Sequence, residues 1–131
     1  MIDEIYINES MRIRQEFLEN LLYITKEEES VNSLISDLDT IKEKVENSEG
    51  ESEQYYRDSL FEINLMIKKA SEKITPFYDK KTKLDKEQRN LYNSIKDKYP
   101  NITDEDMANE LIPHIHEVDM KFKKKHGNIL K

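Results

Sequence analysis

An all-α protein, built as a long antiparallel coiled-coil hairpin with a shorter third helix, is what this amino-acid order predicts. Three features point to it. Apolar residues recur every three or four positions over long stretches, the spacing of a helix face. Only 2 Gly and 3 Pro occur in 131 residues, too few to supply the turns of a sheet protein. Charged residues (37%) outnumber hydrophobic ones (36%), which suits helices with a narrow apolar stripe and does not suit a thick core.

The chain length fits a single helical domain over 1–131. The first helix is expected over 8–47, with Asn8 as N-cap and Glu9 at the positive end of the dipole. Phe17, Ile24, Val31, Leu38 and Val45 recur every seven residues, and Leu34 and Ile41 fall between them. From Val31 to Val45 this is an unbroken coiled-coil seam.

The break comes at Asn47–Glu53. Gly50 suits a left-handed position after a helix end, Ser52 is placed to cap the next helix, and Glu53 sits in its first turn. The second helix is expected over 53–98. Its stripe is Tyr56, Leu60, Ile63, Ile67, Ala70, Ile74, Phe77, Lys81, Leu84, Gln88, Leu91 and Ile95, in steps of four and three. Pro76 lacks an N–H and its ring crowds the preceding turn, so a kink is expected there, in a helix whose heptad phase continues beyond it.

Tyr99-Pro100-Asn101 should end that helix, because proline disfavours helical geometry in the residue before it. Thr103 and Asp106 have the spacing of a capping box opening the third helix, 103–126. Met107, Leu111, Ile115, Val118 and Phe122 share one face of it, Pro113 should bend it, and Lys121, Lys123, Lys124, Lys125 and His126 crowd its negative end.

The two long stripes fit each other. In an antiparallel pair, facing residue numbers have a constant sum. With a sum of 101, Val45 faces Tyr56, Ile41 faces Leu60, Leu38 faces Ile63, Leu34 faces Ile67 and Val31 faces Ala70. Ile24 with Phe77 and Phe17 with Leu84 continue the series, and the turn falls at its centre. Polar intrusions set Glu27 against Ile74, Asn20 against Lys81, Ile13 against Gln88 and Ser10 against Leu91. The end far from the turn is therefore expected to be the weaker one, with the third helix covering Leu18, Leu22, Tyr92 and Ile95. Arms of about 40 residues would reach roughly 60 Å. Leu21, Ile35, Phe61, Leu65 and Met66 lie off the seam and form the candidate partner surface. Their exposure predicts a homo-oligomer, for example a dimer closing a four-helix bundle.

Chemistry-bearing patterns are few. His114-Ile115-His116 with Glu117 and Asp119 lacks the helical i, i+4 histidine spacing of zinc proteases, and Glu110 with His114 misses the Glu-x-x-His step of carboxylate-bridged bundles. A solvated or capping role accounts for these residues. No Gly-rich phosphate loop and no nucleophile–base signature occurs, and the chain has no Cys. The expectation is a protein without catalytic residues, metal, cofactor or small-molecule substrate. Tyr55, Tyr56, Tyr78, Tyr92 and Tyr99 suit bundle edges, with ring packed and hydroxyl in water.

Charge and composition narrow the partner only coarsely. The net charge is −7, with 15 acidic against 5 basic residues in 1–54 and 13 against 16 in 55–131. The first reading is a non-enzymatic interaction or assembly protein, an oligomerising structural or adaptor component of a larger complex. The abundance of Lys (17) and Ile (15) over Arg (4) and Ala (2) reflects an AT-rich genome and suits a phage or viral accessory protein. The second reading is an accessory factor of nucleic-acid metabolism with phosphate contacts at Lys121, Lys123, Lys124 and Lys125, and with Lys80, Lys81, Lys83, Lys86 and Arg89 extending the stripe. The third is an acidic inhibitor docking on a basic partner surface. The acidic N-terminus has no apolar run of signal-peptide type and no stretch of ~20 apolar residues crosses a bilayer, so a cytoplasmic or virion-associated protein with no membrane contact is expected.

Overall fold

The computed structural model describes residues 1–127. Three helices account for nearly all of them: α1 (Glu4–Glu46), α2 (Glu51–Lys98) and α3 (Asp104–His126). α1 and α2 pack as an antiparallel hairpin, and no strand occurs among the described residues.

α1 begins four residues before Asn8, which therefore lies inside the helix and caps nothing. The first turn is closed by the Asp3 carbonyl, which accepts from Tyr6 N at 3.0 Å and Ile7 N at 3.5 Å. Asp3 is thus the N-cap, a position where a short carboxylate satisfies free N–H groups. Ile2 precedes the cap and is buried in a cluster that Ile7 packs against, the spacing of a hydrophobic staple.

Gly50 takes a positive φ of 68°, the left-handed geometry that favours glycine. Its carbonyl accepts from Gln54 N at 3.3 Å, so the chain turns in time for α2 to start at Glu51. Ser52 is consequently inside the first turn and does not cap it. α2 runs unbroken through Pro76, and α3 through Pro113.

The start of α3 follows the residue pattern closely. Thr103 Oγ1 accepts from Asp106 N at 3.0 Å, and Thr103 N donates back to the Asp106 carboxylate at 3.4 Å. Thr103→Ala removes one of these bonds and should lower stability by about 1 kcal/mol, read by urea denaturation.

The backbone divides into two compact units. One joins Met1–Leu22 with residues 79–127, and the other is Tyr23–Tyr78. Among the described residues, the first holds ten of the twelve buried hydrophobic ones. Ile2, Ile13, Leu91, Ile95, Met107 and Leu111 form one cluster, and Leu18, Val118 and Phe122 another. Leu18 and Ile95 are fully enclosed. Phe17 and Leu84, Ile13 and Gln88, and Ser10 and Leu91, the facing residues that the heptad register expects, line one small cavity of about 180 Å³. The hairpin end that its polar intrusions mark as weaker is thus the end with the core. α3 adds a third layer there, and Met107, Leu111, Val118 and Phe122 seal what two helices leave open.

Polar groups tie the first unit together. Ile2 N donates to both carboxylate oxygens of Glu110, at 3.0 and 3.1 Å, and Asp3 N donates to Tyr99 Oη at 2.9 Å. Lys98 Nζ lies 3.2 Å from Asp3 Oδ2. That hydrogen bond holds the Asp3 carboxyl below the ordinary range and raises the Lys98 ammonium. Arg14 grips Asp119 with two bonds, of 2.7 and 3.1 Å, joining α1 to α3.

Candidate functional site

The unit Tyr23–Tyr78 consists of two helix segments and the Asn47–Gly50 connection, with no third layer of its own. Only Ile24 and Ile74 are buried in it. The remaining seam residues, Val31, Leu34, Leu38, Ile41, Val45, Tyr56, Leu60, Ile63, Ile67, Ala70 and Phe77, are half-buried. A side chain between two helices keeps one flank open to water unless further helices cover it.

Edge contacts supplement this seam. Tyr23 stacks on Phe77 with centroids 5.3 Å apart. Lys44 Nζ lies 5.5 Å from the Tyr56 ring centre, and Lys73 Nζ lies 3.7 Å from Glu27 Oε1. Tyr78 donates its hydroxyl to Glu28, and that hydrogen bond raises the phenol above its ordinary value. Three of these four pairs have residue numbers that sum to 100, one short of the 101 expected along the seam, and the fourth lies further off.

Large apolar groups face away from it. Phe61 is 71% exposed, Met66 52% and Leu65 43%, and Tyr55 and Ile35 are also exposed. At ~100° per residue, Leu65 lies about 180° and Phe61 about 140° from the seam axis of α2. Those two share the outer face of the helix, one turn apart. Met66 and Tyr55 lie nearer the edge, Ile35 is on α1, and Leu21 is half-buried in the other unit. The five residues chosen from sequence therefore do not make one patch; Phe61 and Leu65 do.

At the end of α3, Lys121, Lys123, Lys124 and Lys125 are exposed. Lys121 Nζ pairs with Glu117 at 3.0 Å, and buried Phe122 holds the His126 ring 4.5 Å away. His114 is half-buried and His116 exposed, while Asp119 is engaged by Arg14. Among the described residues, no three His, Asp or Glu side chains converge as a metal site would need.

One feature was missed from sequence: an open cleft of about 610 Å³ at the α2–α3 turn, lined by residues including Lys98, Tyr99, Asn101 and Glu110. Two of its polar groups, Tyr99 Oη and the Glu110 carboxylate, already hold the backbone of Asp3 and Ile2. The Tyr99-Pro100-Asn101 turn was the available signal for its position. Among the described residues, no helix is long and apolar enough to cross a membrane.

No protein-family model matches the chain, and no curated protein or solved structure is significantly similar to it.

Proposed function

We propose that this protein works by association and not by turnover: it is an oligomerising helical component whose Tyr23–Tyr78 hairpin presents an apolar helix face to another helix. One observation carries the reading. That hairpin has two buried hydrophobic residues and a half-open seam, yet displays Phe61 and Leu65 on the outer face of α2. Exposed apolar groups clustered on one helix are the usual mark of a binding face. Amphipathic helices bind through such faces by burying the apolar positions.

Sedimentation equilibrium tests this on the full chain, from about 2 to 500 µM, where association of ordinary strength shows itself. A reversible oligomer is expected. A monomer throughout that range would overturn the self-assembling reading.

A second reading has one specific observation in its favour. Lys123, Lys124 and Lys125 are consecutive, exposed and joined to no carboxylate among the described residues. A phosphate backbone would be met by such a cluster. Reversing Lys123, Lys124 and Lys125 to Glu should then abolish a salt-sensitive mass shift with DNA. No mass shift at low salt would remove this reading.

A further inference from the structure

The outer face of α2 carries a stripe of six residues: Gln54, Asp58, Phe61, Leu65, Lys68 and Glu72. They step by four, three, four, three and four, so at ~100° per residue they stay on one side of the helix, away from the seam. Run backwards, the stripe has the same spacing and is symmetrical about Ile63. Its chemistry is complementary under that reversal. Where residue numbers add to 126, Phe61 faces Leu65 and Asp58 faces Lys68.

We infer that a second copy of this chain pairs with this stripe, the two α2 helices lying antiparallel about a two-fold axis at Ile63. This rests on the assembly reading above and specifies its contact. The two-fold repeats every contact, giving two Phe61–Leu65 contacts at the centre and an Asp58–Lys68 pair on each side. Gln54 reaches Glu72 of the second copy at either end, an amide beside a carboxylate.

The charges choose the direction and the register. In a parallel pair Asp58 would meet Asp58 and Lys68 would meet Lys68, so like charges oppose that arrangement. Sliding the antiparallel pair by one heptad sets Leu65 against Lys68, or Phe61 against Asp58, and spoils the apolar centre. Each residue is accessible in the single chain: Phe61 is 71% exposed, Leu65 43%, and Asp58 and Lys68 are exposed. Among the described residues, Asp58 accepts a neutral hydrogen bond from Gln54 Nε2 at 2.9 Å and joins no cation, and Lys68 joins no carboxylate. Glu62 comes near its own copy at the rim, where solvent screens it. The paired length of 19 residues is about 28 Å along a single helix face, a small contact, so the dimer is reversible and weak.

Sedimentation equilibrium at low salt on the full chain tests the pairing. Asp58→Lys alone and Lys68→Asp alone should each weaken the dimer by about tenfold or more, because each places two like-charge pairs in it. The double variant Asp58→Lys/Lys68→Asp should recover wild-type association. These residues are exposed, and circular dichroism checks that every variant stays helical. The chain has no cysteine, so introduced thiols report position cleanly. Asn64→Cys lies at the rim level with the axis, and its two copies should be joined by a short bis-maleimide linker of about 8 Å, the span that ordinary helix spacing sets there. Arg57→Cys alone should not, because its two copies lie far apart across the axis. A wild-type protein that is monomeric throughout overturns both this pairing and the assembly reading. An oligomer indifferent to the charge reversals, or one that does not cross-link through Asn64→Cys, overturns this pairing alone.

Discussion

Ile95→Ala is expected to lower stability by about 2–5 kcal/mol, whereas Ile63→Ala should do clearly less. Both are isoleucines on the same stripe of α2, and composition or heptad position gives no reason to separate them. Their surroundings do. Ile95 is fully enclosed, in a cluster with Ile2, Ile13, Leu91, Met107 and Leu111, drawn from all three helices and the N-terminal segment. Removing its branched side chain leaves a cavity that this packing cannot close, and the loss of contacts adds to the loss of apolar transfer. Ile63 is half-buried between two helices, so water fills part of the space that its truncation opens. Urea melts of the two variants decide the matter. Equal losses would mean that the core does not lie where α3 covers the hairpin.

The contrast shows what was legible in the residues. Heptad spacing located three helices, the connection at Gly50, and the capping box at Thr103 and Asp106, because each depends on neighbours within a few positions. At the end beneath α3, Ser10, Ile13 and Phe17 line one cavity with Leu91, Gln88 and Leu84, the residues that a constant sum of 101 sets opposite them. Burial was harder to read. The run from Val31 to Val45 has the cleanest seam in sequence, yet its residues are half-buried. A perfect stripe on two helices still lacks a third surface, while a flawed stripe beneath α3 has one. Ser10 and Asn20 are buried there despite their polarity. The N-terminal anchor escaped notice for a related reason. Ile2 meets Glu110 across 108 positions of sequence, beyond the reach of any local pattern. Asp3 followed by Glu4 ahead of an apolar run marks a helix start more strongly than Asn8 does.

Leu38→Asp should produce the second large effect, and a local one. Leu38 faces Ile63 in the 101 register, midway along the seam of the Tyr23–Tyr78 hairpin. A carboxylate there loses the apolar contact and must keep its charge hydrated beside Ile41, Leu60 and Ile67. Because Leu38 is half-buried, the ion can reach water by prising the seam apart, and that route is easier than burying it. The expected outcome is faster amide hydrogen exchange across residues 31–70. Protection around Ile13, Leu91, Ile95 and Leu111 should persist, since those residues pack in their own cluster. Regions with few buried apolar contacts open with the smaller free energy, so even the wild type should exchange faster in 31–70 than in this cluster. Leu38→Met keeps the volume and the apolar character, and should leave the exchange pattern unchanged. If Leu38→Asp left protection in 31–70 intact, Leu38 would not belong to the seam and the 101 register would fail in that hairpin. If it removed protection everywhere, the two compact units would share one cooperative transition, and the open seam would depend on the core for its stability.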